Sequence, residues 1–176
     1  MLNILRRAAG EKRAAAQLYD AIVRRSREPV FYAGLGVADT FDGRFDLIVL
    51  HGWLVFDAAR KAGFEDLANR LLQEVFAGFE DSLRDQGAGD MSIGRRSKAM
   101  TSALFGRMKN YEAAADGVAM TDALKRNLYR NAPDRDDCAR VIAHYIKECR
   151  KSLAGGHLMQ GEAMFAELPM PMERRI

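Results

Sequence analysis

Three histidines, two cysteines, scattered serines and several adjacent carboxylates are the groups here that can do chemistry, and their spacing limits which chemistry. His51, His144 and His157 fall in three separate stretches, none with a second ligand three or four residues away, so no zinc-type donor pair forms. Cys138 and Cys149 lie on one helical pattern. There they are separated by about 20° of rotation and roughly 16 Å of rise, whereas a disulfide needs Cα atoms within about 7 Å. They read as buried thiols in a reducing compartment. Ser92 and Ser97 have no neighbouring base to activate them. Glu65-Asp66, Glu80-Asp81 and Asp136-Asp137 sit at cap positions and outer helix faces, where capping and solvation account for them. His51, on a mostly apolar helix, reads as a core histidine bonded to a carbonyl or to a carboxylate such as Asp39 or Asp42. No catalytic residue, metal or cofactor is expected.

The stretch Gly87–Tyr111 offers binding instead. Gly87-Ala88-Gly89 precedes a helix start, as a phosphate loop would. Such a loop follows a strand and ends in Gly-Lys-Ser/Thr, and neither is present; Asp90 would also repel an anion. Ser92 is read as the cap of the helix. At 100° per residue, Ile93, Met100, Leu104, Met108 and Tyr111 lie within about 60° of one direction. Arg95, Lys98, Ser102, Gly106 and Lys109 lie opposite, a face with cations and no carboxylate. Nucleic acid would suit the charge, but no exposed aromatic is read among these cations, so base stacking is not expected.

The elements that position these residues are helical throughout. A first helix runs through residues 1–28, with Leu18, Tyr19, Ile22 and Val23 on its apolar stripe and Pro29 at its end. Residues 29–40 read as a loop whose Phe31, Tyr32 and Leu35 pack on the body. Asp39-Thr40 caps a long helix over about 42–62, apolar almost all round and therefore central. Gly52 within it suggests a close helix crossing, since glycine costs about 1 kcal/mol against alanine there. Gly63 ends it, and Leu67, Leu71, Leu72, Val75, Phe76, Phe79 and Leu83 mark the next helix. Beyond Tyr111, Thr121 is read as the cap of a short basic helix and Asp134 as the start of another, stopped by Gly155-Gly156. Leu158–Leu168 reads as a last short helix before a tail over 169–176. No stretch alternates with period two. The expectation is an all-α, single-domain bundle of about six to seven helices spanning 1–176.

Composition agrees with an ordinary globular chain. At 176 residues, 48% hydrophobic and 29% charged, the chain is long enough to bury about 70% of its unfolded surface. The net charge of +3 conceals blocks: +5 over residues 1–27, −7 over 28–91 and +5 over 92–130. No signal-type h-region follows Met1–Gly10, and the longest apolar run, Leu47–Phe56, is about half a membrane span. A cytoplasmic protein is expected, with contact at the inner face of the cytoplasmic membrane through the basic segments as one option.

Ordered pieces then add a resemblance. Phe31-Tyr32, Asp39-Thr40-Phe41-Asp42-Gly43-Arg44-Phe45, Leu50-His51-Gly52-Trp53-Leu54, Gly89-Asp90-Met91-Ser92-Ile93-Gly94-Arg95-Arg96, Leu104-Phe105-Gly106-Arg107 with Tyr111, and Arg126-Asn127-Leu128-Tyr129 follow one another across roughly residues 30–150. Together they resemble the ubiquinol–cytochrome c chaperone family in its compact bacterial form. Gly94, Ser97 and Ala99 depart from the family's proline, methionine and lysine, which thins the basic face. The resemblance implies a non-enzymatic assembly factor that holds newly made cytochrome b by protein–protein contacts. It also implies a small partner protein or the ribosome nearby, and no DNA. Arg95, Arg96, Lys98, Arg107 and Lys109 are the expected partner contacts. Asp39, Arg44, His51, Trp53, Asp90, Tyr111, Asn127 and Tyr129 are the family-motif positions expected to be structural or partner-facing. Met159, Met164, Met170 and Met172 cluster near the C-terminus, where exposed methionines could line an apolar groove, although core packing is the first reading for Met159 and Met164. Two other classes remain open from the residues alone: a membrane- or RNA-binding protein using the basic helices, and a small-ligand carrier or enzyme with a pocket in the bundle.

Overall fold

A computed structural model describes residues 2–85, 90–114, 116–154 and 157–170. The Gly87–Gly89 turn, the Gly155-Gly156 stop and most of the tail fall outside them. Six α-helices follow in order: α1 (Leu2–Ser26), α2 (Phe41–Lys61), α3 (Glu65–Asp85), α4 (Asp90–Ala113), α5 (Gly117–Asn127) and α6 (Asp136–Ala154). No strand occurs among the described residues, so the all-α expectation stands. α2 is the hub, packed against α1, α3, α4 and α6, while α5 lies mainly on α6. Most of its residues from Gly43 to Val55 are buried, as its nearly continuous apolar run requires.

Caps and turns explain where the helices stop. The Tyr32 hydroxyl donates to the Ser26 carbonyl at 2.7 Å, serving one of the orphan acceptors at the end of α1. Residues 29–40, expected to be loop, contain one π-type turn, Val30–Gly34, and seat Phe31 and Leu35 in the core. Thr40 Oγ1 accepts from Gly43 N at 3.2 Å and caps α2. Gly63, at φ 78°, closes the far end, with Phe64 N donating to Ala59 O at 2.9 Å.

Four local expectations are corrected. α4 already runs from Asp90, so Ser92 lies inside it and is not its cap. Asp116, not Thr121, caps α5, accepting from Ala119 N at 2.8 Å. Thr121 sits one turn in, where its hydroxyl donates back to the Gly117 carbonyl. α6 begins at Asp136, because Asp134 stands at φ 62° and cannot belong to a right-handed helix. The last helix shrinks to one 3-10 turn, Leu158–Gln160, ended by Gly161 at φ 80°. Beyond it the chain has no regular structure as far as Met170, and Arg25 Nη2 holds it by donating to Ala166 O at 3.0 Å.

The glycines of α2 differ in what they permit. A Cβ on Gly43 would lie 1.9 Å from the Ala38 carbonyl oxygen, so only glycine lets the loop cross there. The tight crossing expected at Gly52 is absent: a Cβ there would meet only Val75 Cγ2, at 4.0 Å. It would also face a void of about 10 Å³ between α2, α3 and α4. Gly52→Ala is therefore expected to stabilise the fold by about 1 kcal/mol, read as a higher urea midpoint. A lower midpoint would mean that the void is not available to the methyl group.

Candidate docking surface

α4 packs against α3 and α2 through Leu104 and Met108 and turns its other side outward. Arg95, Lys98, Ser102, Gly106 and Lys109 are exposed there, as the helical spacing predicts. Arg96 is exposed too, but about 160° round the helix from Lys98. None of these cations meets a carboxylate among the described residues. The expectation of a face without aromatics is overturned. Phe105 follows Lys98 by seven residues, is 47% exposed, and sets its ring tilted against that of Phe76 on α3, centroids 6.0 Å apart. The face is thus an apolar spot set among cations. Asp90 opens α4, and its side chain is outside what is described.

Arg107 departs from the set in which the sequence placed it. It lies about 50° from the apolar stripe and turns inward, its side chain only 20% exposed. Its Nε stands 2.7 Å from Oδ1 of Asp46, a fully buried carboxylate in the second turn of α2. Arg130, after α5, brings Nη2 to 3.0 Å from Asp46 Oδ2 and 3.4 Å from Asp42 Oδ2. Arg107 also lies over the Phe45 ring, 5.1 Å from its centroid. Its charge is spent inside, tying α2 to α4. Burial pushes the Asp46 carboxyl up to about 6, while the two guanidinium groups pull it down, so it is ionised at neutral pH.

His51 forms a second buried polar centre. Its Nδ1 lies 2.9 Å from Leu47 O and 3.0 Å from Ser26 Oγ, and its Nε2 lies 3.1 Å from Tyr145 Oη. A carbonyl can only accept, so Nδ1 carries the proton and Nε2 accepts from the tyrosine hydroxyl. The carbonyl partner was expected; the other two are hydroxyls rather than Asp39 or Asp42. Phe31 and Phe165 close over the ring, each with its centroid 5.3 Å away. Burial lowers the imidazole to about 3, which keeps it neutral. The ring is fully buried.

The other motif positions serve the frame. Arg44 Nε donates to Asp39 Oδ1 at 2.8 Å on the surface just before and within the first turn of α2. Trp53 and Tyr111 are buried with ring centroids 5.3 Å apart, and Arg150 lies over the indole at 4.8 Å. Asn127 Oδ1 accepts from Asn110 at 3.3 Å, joining α5 to α4. The Tyr129 hydroxyl donates to Leu35 O at 2.8 Å. That bond anchors a bend in which Arg130 and Asn131 hold φ of 50° and 56°. Among the described residues no three metal-donating side chains converge. No described helix is long and apolar enough to cross a membrane.

Sequence reading missed Asp46, Arg130, Ser26, Tyr145 and the exposure of Phe105. An acid between Phe45 and Leu47 was the one available signal for the first. The family model described as "Ubiquinol-cytochrome C chaperone" matches residues 33–168. The crystal structure of the Cbp3 homolog from Brucella abortus is similar at a TM-score of 0.81 and 28% identity, over 94% of this chain and 96% of that chain. No curated protein matches.

Proposed function

The chain belongs to the ubiquinol–cytochrome c chaperone family, and from that premise we propose that it is a non-enzymatic assembly chaperone for cytochrome b. It acts by protein–protein contacts on the cytoplasmic side, at the inner face of the membrane that receives the client. A small partner protein or the ribosome delivers newly made cytochrome b to it. On this face Arg95, Lys98 and Lys109 make the polar contacts and Phe105 supplies the apolar one, while Arg96 reaches a partner from the other side of α4. Arg107 contributes through its hold on Asp46, which keeps α4 seated. The observation that supports this mode of action is Phe105, half exposed beside Phe76 and set among unpaired cations. A ring surrounded by positive charge suits a partial docking site, with anchors at its centre and charge at its rim.

Deleting the protein in its own cells is expected to remove most haem-bearing cytochrome b, read by difference spectra of membranes. Normal cytochrome b would end the proposal. Charge reversal of Arg95, Lys98 and Lys109 together should reproduce much of the deletion, with melting unchanged. The same face would also suit an anionic membrane or RNA. That reading requires binding to anionic vesicles or ribosomal RNA that falls steeply with salt and vanishes on the same charge reversal.

A further inference from the structure

Between α5 and α6 runs an open cleft of about 1060 Å³, used by neither the α4 face nor the His51 centre. Its floor is apolar, made by Met120, Ala143 and Ile146, and Val118 at its edge is 74% exposed. Its two walls carry opposite charge. Arg140, His144 and Lys147 follow one another along α6 at helical spacing. Asp116 and Asp122 line the α5 side. Lys125 Nζ joins Asp136 Oδ1 across the two sides at 2.8 Å. Arg140 is bonded to Asp137, and Asp116 caps α5. His144, Lys147 and Asp122 form no ion pair among the described residues.

This charge arrangement selects the occupant. An anionic lipid or phosphate would meet carboxylates on one wall. A wholly apolar segment would leave His144, Lys147 and Asp122 without partners. A helix is about 10–12 Å across, and an apolar ridge at i, i+3, i+4 and i+7 suits an apolar floor between two walls. We propose that the cleft docks an amphipathic helix of a partner protein, with an acidic flank against Arg140, His144 and Lys147 and a basic flank against Asp116 and Asp122. The site shares no residue with the α4 face, so either surface can fail its test without the other.

The test uses three labelled helical peptides with one common Leu/Ala ridge. One has a Glu flank and a Lys flank, one has Glu on both flanks, and one has Lys on both. Fluorescence anisotropy with the full chain should show the mixed peptide binding at least tenfold tighter than the other two. In the double variant Arg140→Glu, Lys147→Glu both walls are acidic, and the all-Lys peptide should become the tightest. Both substituted residues are exposed, so circular dichroism should be unchanged. The variant Lys98→Glu should keep the wild-type order. Equal binding of the three peptides, binding of none, or an unchanged order in the double variant would overturn the proposal.

Discussion

Asp46→Ala is expected to destabilise the protein by about 3–5 kcal/mol, because it removes the shared partner of two guanidinium groups. Arg107 would suffer most, since four-fifths of its side chain is out of water and its Nε loses a contact of 2.7 Å. Arg130, 45% exposed and still near Asp42, would recover much of its solvation, so its share is small. The desolvation that raises Asp46 to about 6 shows that the carboxylate is held at a cost. Removing the charges as a set should therefore be far milder than removing one. The double variant Asp46→Leu, Arg107→Met is expected to lie within about 1–2 kcal/mol of wild type. Urea unfolding of both variants decides it. A loss below 1 kcal/mol in the single variant would mean that the cluster is not a clamp between α2 and α4.

Acid should expose the second centre. The folded His51 has its affinity for a proton lowered to about 3, from 6.5 in an unfolded chain. Below pH 6.5 the unfolded chain takes up a proton that the folded chain refuses. Stability from this group is complete above 6.5 and is lost as pH falls toward 3. By pH 5 the loss is about 2 kcal/mol. Asp46 works with the opposite sign. Its folded value of about 6 exceeds 3.8, so below pH 6 the folded chain gains a proton first and stability rises. The two linkages roughly cancel between pH 6 and 4, which flattens the wild-type curve. His51→Gln removes only the first. The variant should gain about 2 kcal/mol relative to wild type between pH 7 and pH 5. Parallel curves for the two proteins, measured by urea unfolding at each pH, would show that His51 takes its proton within the fold.

Much of this architecture was legible because helical period and apolar content coincide. α2, α3 and α6 carry long stripes, and Gly63 punctuates the first pair cleanly. Caps were harder, because Asp116 and Thr121 are both good capping residues and only the backbone distinguishes them. Leu158–Leu168 has helix-like spacing, yet Phe165 is drawn onto His51 and the segment is irregular beyond its one 3-10 turn. That contact is tertiary and leaves no local trace. The docking face was half legible. Lys98 and Lys109 stood out by type, whereas Phe105 entered only as part of a family motif and was assigned to neither face. Arg107 was misplaced because its partner is sixty-one positions away on another helix.

The environment of His51 has a consequence for the order of events during synthesis. Ser26 and Leu47 are made before or just ahead of the imidazole, but Tyr145 follows it by 94 residues, and Phe165 comes later still. Until those two emerge, the ring is expected to be solvated and protonatable, even with α2 already packed on α1, α3 and α4. Closure of that seat is a long-range step, slow by its loop entropy and late by the direction of translation. Pulse-labelled exchange of the amide protons around His51 would register it as a late protection event. A protein proposed to shelter an unfinished chain would thus itself remain unfinished at its centre until its distant segments arrive.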